Sequence, residues 1–183
     1  VRTLAKHTHT NMKYLTTENA TTSKGEGSGY LTGILYLAPA HEAGKNICPH
    51  ASEGCLAACL FTAGMGAFGN VQSARIAKTK AFHANPKAFI EDLAKDIASL
   101  VRKAEREGLQ PCVRLNGTSD LPWEILGGDL RVNLMSRFPE VPFYDYSKNP
   151  SRCRAYAQGK LPSNYSLTFS RSEVNEKLAL DLL

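Results

Sequence analysis

The feature that most constrains the fold of this chain is a pattern that recurs three times in its second half. Pro111-Cys112-Val113-Arg114-Leu115 is a short apolar run ending in the polar tip Asn116-Gly117-Thr118-Ser119-Asp120. Val141-Pro142-Phe143-Tyr144-Asp145-Tyr146 ends in Ser147-Lys148-Asn149-Pro150, and Tyr165-Ser166-Leu167-Thr168-Phe169 ends in Ser170-Arg171-Ser172-Glu173. Each run has the length and the β-branched and aromatic content of a strand. Helical segments separate or follow them, over residues 128–138, 150–158 and 173–183. Strand, polar tip, helix, strand is the order of right-handed βα units around a parallel sheet. The expected fold is α/β: a partial (β/α) barrel, or an open parallel sheet with flanking helices, behind a flexible polar N-terminal arm.

The first half supplies one more strand and two long helices. Thr, Asn, Ser, Gly and Lys dominate residues 1–29, which close on Ser23-Lys24-Gly25-Glu26-Gly27-Ser28-Gly29 and read as that arm. His7 and His9 alternate with threonines and belong to it. Residues 30–38 are an apolar run closed by Pro39, the first strand. Asn70 is expected to cap a helix reaching Ala84, with Arg75, Lys78 and Thr79 on one flank. Asn85-Pro86 is a cap followed by proline at the first helical position. Phe89, Ile90, Leu93, Ile97, Leu100, Val101 and Ala104 then repeat at helical spacing until Gly108. Residues 30–183 are thus expected to form a single α/β domain. Its last strand leaves an edge that further chain or a partner subunit would cover.

Between the first strand and the turn at residues 64–69 lies the loop 47–60, with Cys48, Cys55 and Cys59 spaced as C-x6-C-x3-C. Five cysteines, three of them crowded together, do not resemble the even, dispersed set of a disulfide framework. No apolar run approaches a membrane span, so no membrane partner is expected. Reduced thiols in a cytoplasmic setting are available to metal. Cys55 and Cys59, four apart, would share one face of a helix, and Cys48 would fold over them. Structural zinc wants four ligands, whereas three thiolates on a [4Fe-4S] cluster leave one iron open. The fourth position is open, or filled by His50 or Cys153. Cys112, at the start of a strand, reads as a small buried hydrophobe. Gly66 would let the backbone approach the cluster or a bound cofactor closely.

In parallel sheets function gathers at the carboxyl ends of the strands. Asp120, Asp145, Lys148 and Glu173 are the candidate catalytic residues there. Asn116, Thr118, Ser147, Ser170 and Arg171, with Gly66, are the candidate cofactor-binding ones. Lys148 and Arg171 would bind the anionic part of a small anionic or nucleotide-like ligand, and Asp120 or Asp145 would serve acid–base or ribose-binding roles. Thr118, Asn149 and Ser172 read equally well as helix caps. Two further readings stand beside an iron–sulfur enzyme. One is a zinc- or cluster-stabilised module that binds nucleic acid, motivated by the net charge of +5 and by Arg75, Lys78 and Lys80 on one helix. The other is a purely structural metal site.

Along nearly its whole length the chain resembles a phage-encoded family known as gene product 88. The matching residues are Tyr36-Leu37-Ala38-Pro39-Ala40, Cys48-Pro49, Gly54-Cys55, Cys59-Leu60, Ala74-Arg75 and Lys78-Thr79. Further along they are residues 114–120, residues 143–148, Asn164-Tyr165, residues 167–170 and Ser172-Glu173. The resemblance implies a viral origin, the cytoplasm of a phage-infected host, and relatives that run on past Leu183. It implies no activity, and Cys153 is not among the family's motifs. More distantly, the order of strand, three-cysteine loop and βα repeats is similar to the radical SAM superfamily. There a [4Fe-4S] cluster holds S-adenosylmethionine at its open iron inside a partial (β/α)6 barrel. That family's loop is C-x3-C-x2-C, and the present one is wider.

Overall fold

The computed structural model describes residues 12–126 and 133–182. Its centre is a five-stranded sheet in sequential order. The strands are β1 (Leu15–Thr16), β2 (Tyr30–Leu35), β3 (Gln110–Arg114), β4 (Phe143–Ser147) and β5 (Tyr165–Phe169). β2 to β5 run parallel, with Tyr30 opposite Gln110, Val113 opposite Phe143, and Phe143 opposite Tyr165. β1 pairs antiparallel with β2. All four strands expected from the apolar runs are present, and the sheet is mostly parallel with helices flanking it. No pairing among the described residues joins β5 back to β1, so this is the open-sheet form.

The helices are α1 (Ala20–Glu26), α2 (Glu53–Ala57), α3 (Gly69–Ala84), α4 (Pro86–Glu107), α5 (Leu134–Arg137), α6 (Pro150–Ala157) and α7 (Glu176–Leu180), with a 3-10 turn at Gly64–Ala67. α4 is built as its sequence predicts. The Asn85 side chain accepts from Ala88 N, Pro86 opens the first turn, and Gly108 closes the last at φ 67°. Its apolar stripe from Phe89 to Ala104 is buried against the sheet. From Leu31 to Leu35 β2 is buried on both faces, so apolar residues do not alternate with exposed polar ones along it. No helix among the described residues is long and apolar enough to cross a membrane.

Three boundaries differ from expectation. α3 starts at Gly69 with Phe68 as its cap, and Asn70 lies inside the first turn, where its side chain takes only the N–H of Val71. α5 covers four residues of the helix expected over 128–138, and residues 128–132 of that expectation lie outside the described residues. α7 starts at Glu176 rather than Glu173.

The larger correction concerns the polar arm. His7 and His9 lie outside the described residues, but from Met12 onward the chain is integrated into the fold. Tyr14 and Leu15 are buried, and α1 carries a reciprocal capping box between Asn19 and Thr22. Asp96 of α4 accepts from the backbone N–H of Tyr14 at 2.6 Å and of Leu15 at 3.2 Å. Lys78 of α3 donates to the Tyr14 carbonyl at 2.9 Å. Burial lowers the Lys78 ammonium to about 8. A two-residue strand is thus held by side chains from two helices rather than by its own propensity. Asp96→Ala removes the shared acceptor of two backbone donors. It should cost about 2–3 kcal/mol in chemical denaturation and expose residues 14–16 to fast amide exchange. Lys103→Ala, which breaks only surface pairs at 3.9–4.0 Å, should cost less than about 0.5 kcal/mol.

Candidate functional site

After β2 the chain stays buried through Tyr36, Leu37 and Ala38 before it enters the cysteine loop. This stretch has no ladder partner, so side chains satisfy its backbone. Thr79 Oγ1 accepts from Ala38 N at 2.8 Å, and Thr118 Oγ1 donates to Leu37 O. The loop is then fastened at several points. Asp120 N donates to Ile47 O at 2.9 Å, and the Cys48 thiol faces the Thr118 carbonyl at 3.7 Å. Ser52 caps α2, accepting from Cys55 N at 3.2 Å. Its hydroxyl in turn donates to Glu173 Oε2 at 2.8 Å, while Gly54 N donates to Glu173 Oε1 at 2.8 Å. A Cβ at Gly54 would lie within 2.8–3.0 Å of that carboxylate, so a larger residue there would push the Glu173 side chain aside. On the far side Arg75 Nη1 donates to Leu60 O at 3.1 Å while its guanidinium covers the Tyr36 ring at 4.7 Å.

This fastening brings Cys48, Cys55 and Cys59 onto one wall of a cavity of about 440 Å³. The carboxyl ends of β3, β4 and β5 supply much of the rest of its lining. All three thiols are free of disulfides. Cys55 sits on α2, but the helix ends at Ala57, so Cys59 follows it in a turn rather than one helical turn above Cys55. Burial pushes the Cys48 thiol up to about 11, with the neighbouring Cys59, Asp120 and Cys55 acting in the same direction against a backbone hydrogen bond from Ala40.

Of the strand-tip residues singled out above, Asn116, Thr118, Asp120, Lys148, Ser170, Arg171 and Glu173 line the cavity. Asp145, Ser147 and Gly66 do not. Asp145 is wholly buried beneath the floor, where it accepts from Asn116 N at 2.7 Å, Asn116 Nδ2 at 3.1 Å and Tyr165 OH at 3.2 Å. Burial outweighs those donors and the nearby Arg114 and Arg152 charges, and raises its carboxyl to about 7. Ser147 is a buried strut that donates to Asp120 Oδ1 at 2.7 Å. Gly66 packs against the loop backbone, where a Cβ would come within 1.9 Å of Leu60 O. The two candidates for a fourth ligand do not line the cavity: His50, two residues after Cys48, is exposed, and the remote Cys153 is part of the hydrophobic core.

Asp120 is the most constrained acid in the wall. Besides Ser147, its Oδ1 accepts from Arg152 Nη1 at 2.7 Å, and its Oδ2 accepts from Lys148 N at 3.0 Å. Arg152 is 6% exposed and forks onto Glu124 through bonds of 2.7 and 2.8 Å. Burial alone would lower this guanidinium, but the bonds to Glu124 and the charges of Glu124 and Asp120 hold it above its ordinary value. Lys148 reaches Ser170 Oγ at 2.7 Å, and Arg171 pairs with Glu176. Four residues of this arrangement carry no signal in the strand-tip reading: Arg114 and Tyr146 in the cavity wall, and Arg152 and Glu124 behind it. Arg114 could have been found, because it is the one charged residue of its strand. Nothing in local spacing links Arg152 to Glu124.

The flank of α3 is also reassigned. Arg75 and Lys78 are buried and hold backbone carbonyls, so they form no surface for phosphates. As to metal, no three His, Cys, Asp or Glu side chains among the described residues stand close enough together to hold a single ion. The cavity wall offers three thiols and no imidazole. A lone zinc therefore does not fit these residues as they stand. The thiolates of a four-iron cubane bind different irons and stand farther apart than the ligands of one ion, so this test does not bear against a cluster.

Fold and site together define a parallel α/β protein with a three-thiol cavity at the carboxyl ends of its strands. The sequence profile of the family described as Gene product 88 matches residues 6–183, and the chain belongs to that family. No curated protein and no solved structure matches it.

Two outcomes follow from how the loop is held. Its own backbone N–H, the Ser52 hydroxyl and Gly54 N hold the Glu173 carboxyl below the usual carboxylate range. A depressed acid stabilises the fold above its unfolded pKa and ceases to do so as pH falls through its folded one. Protection of the Gly54 and Cys55 amides, corrected for intrinsic exchange, should therefore fall as pH drops below about 4. In Glu173→Ala it should be low at every pH. Gly66→Ala should cost about 1–3 kcal/mol by chemical denaturation, through displacement of the Leu60 segment that Arg75 holds.

Proposed function

We propose that this protein binds a [4Fe-4S] cluster through Cys48, Cys55 and Cys59, leaving one iron open toward the strand tips, where a small anionic or nucleotide-like molecule is received. The observation that carries this reading is the shared cavity: three cysteines from a loop and a short helix face the ends of three consecutive parallel strands. The donor chemistry supports it, since soft thiolates without imidazole suit iron–sulfur ligation. When bound, such a cluster supplies electron transfer or a Lewis-acidic iron.

The chain's own residues have distinct parts in this reading. Asp120, held by Arg152 and Ser147, is a fixed acceptor in the wall and serves to orient a hydroxyl or amine of the ligand. Asn116 is saturated: its Oδ1 accepts from Ser119, Leu121 N and Trp123 Nε1, so it shapes the floor. Lys148 offers positive charge from the β4 tip. Glu173 is a positioning residue for the cysteine loop. The radical SAM likeness enters only as one choice of ligand, S-adenosylmethionine, whose carboxylate would meet the same cations. The alternative of a zinc- or cluster-stabilised module for nucleic acid loses two of the three α3 cations that motivated it, because Arg75 and Lys78 are buried and only Lys80 is exposed. On this reading the protein acts in the cytoplasm of a phage-infected host, and membership of the family supports that expectation.

Anaerobic reconstitution with iron and sulfide should give a broad visible absorption and about four irons with four sulfides per chain. Alanine at Cys48, Cys55 or Cys59 should abolish it, while Cys153→Ala should leave it intact. Persistence of the absorption in Cys55→Ala overturns the ligand assignment. Zinc without sulfide in anaerobically purified protein overturns the cluster.

A further inference from the structure

Three cations line the cavity, one from the end of each of β3, β4 and β5: Arg114, Lys148 and Arg171. They are not equivalent. Arg171 is 66% exposed and paired with Glu176, and Lys148 is satisfied in part by Ser170. Arg114 makes no ion pair among the described residues, and its Nε is buried with no hydrogen-bond partner. Its guanidinium instead lies over the ring of Tyr146 at 4.9 Å, a contact that leaves its donors unused.

The acids nearby do not account for it. Both oxygens of Asp120 are engaged by Ser147, Arg152 and Lys148 N, and both oxygens of Glu173 by Ser52 and Gly54. Asp145 lies behind Arg114 with its oxygens taken by Asn116 and Tyr165. A guanidinium carries five N–H donors, and one left unmatched at a cavity wall is arranged for an acceptor that the protein does not provide. The neighbouring wall is apolar or aromatic at Pro39, Leu56, Leu60 and Tyr146.

We propose that Arg114 is the anchor for the carboxylate or phosphate of a small ligand in this cavity, with Lys148 as the second cation and Tyr146 lying against the guanidinium. The inference rests on the reading of the cavity as a ligand site, but not on the cluster. The ligand is an amphipathic anion: its charged end lies on the fork and its apolar or ring portion lies along Leu56 and Leu60. A planar guanidinium gripping two oxygens gives orientation that a lysine does not.

The test is calorimetric titration of the metal-free chain and of the reconstituted chain with AMP, succinate and adenosine. AMP or succinate should bind in the millimolar range or tighter. Which of the two binds separates a phosphate from a carboxylate ligand, and adenosine should bind at least about tenfold more weakly than AMP. Arg114→Gln should weaken the bound anion by about tenfold or more, Arg114→Lys should recover part of that loss, and Arg137→Gln on the remote surface should change nothing. Melting temperatures and iron content of all variants should match the wild type. Absence of binding by both anions, equal binding of adenosine and AMP, or full affinity in Arg114→Gln overturns the proposal. Anion binding with no iron–sulfur content retains this inference and discards the cluster; a four-iron cluster with no anion binding does the reverse.

Discussion

The cavity stands on one buried cation. Arg152 is withdrawn almost wholly from water, a state tolerable only when its donors are met. They are: Glu124 takes the fork, Asp120 and Ser147 take one terminal nitrogen, and Tyr165 takes the other. These partners come from the segment after β3, from the tip of β4 and from the start of β5, with α6 supplying the arginine itself. One guanidinium thus ties the β3 and β4 ends that line the cavity to α6 and to the first residue of β5. Tyr165 passes the constraint on to Asp145, and Asp145 to the backbone of Asn116. Removing any one acceptor would leave a buried donor unmatched, so the floor holds together as a unit.

The opposite wall obeys a different rule. The cysteine loop cannot use a strand ladder, so it is held by single bonds from side chains that arrive from distant parts of the chain. Thr79 and Thr118 hold the backbone that leads into it, at Ala38 and Leu37, and Arg75 and Glu173 hold its own, at Leu60 and Gly54. The floor is cross-linked through charges, whereas the loop is hung from a few points, of which Glu173 is exposed to solvent. Local opening is expected at such a place, with few buried contacts and a solvent-facing latch. A site whose loop can open while its strand tips stay fixed suits the loading of a large group from outside.

What the sequence made legible divides along the range of the interactions. The four parallel strands, α4 with both its caps, and the convergence of three cysteines with the strand tips follow from local signals: apolar runs, Asn-Pro, a glycine after the last turn, and the rule that parallel strands carry function at their carboxyl ends. Apart from shifted helix ends, the failures are long-range or turn on which way a side chain points. Nothing near Tyr14 and Leu15 announces that Asp96 and Lys78 will bind their backbone, so a polar segment that joins the sheet read as an arm. Asp145 and Asp120 look alike in sequence, each a carboxylate near a strand end, yet one closes a buried network and the other lines the cavity. The difference is a matter of side-chain direction, since Asp145 lies inside β4 and Asp120 five residues beyond Leu115 in the following loop. Arg75 and Lys78 failed for the converse reason: a charge run on a helix normally faces water, and here both cations serve loop carbonyls.

The same view accounts for the six residues between Cys48 and Cys55. That interval has two duties besides linking thiols. Ala51 N turns back onto Cys48 O, and the chain then presents Ser52 and Gly54, two residues apart, to the two oxygens of one carboxylate. A shorter interval would lack either the turn or the cap, and α2 would have no fixed start from which to aim Cys55. Glu173, from the tip of the last strand, thereby sets the angle of the helix that carries the second thiol. The spacing belongs to the latch as much as to the thiols, so the loop and the β5 tip form one device for holding three sulfurs against a parallel sheet.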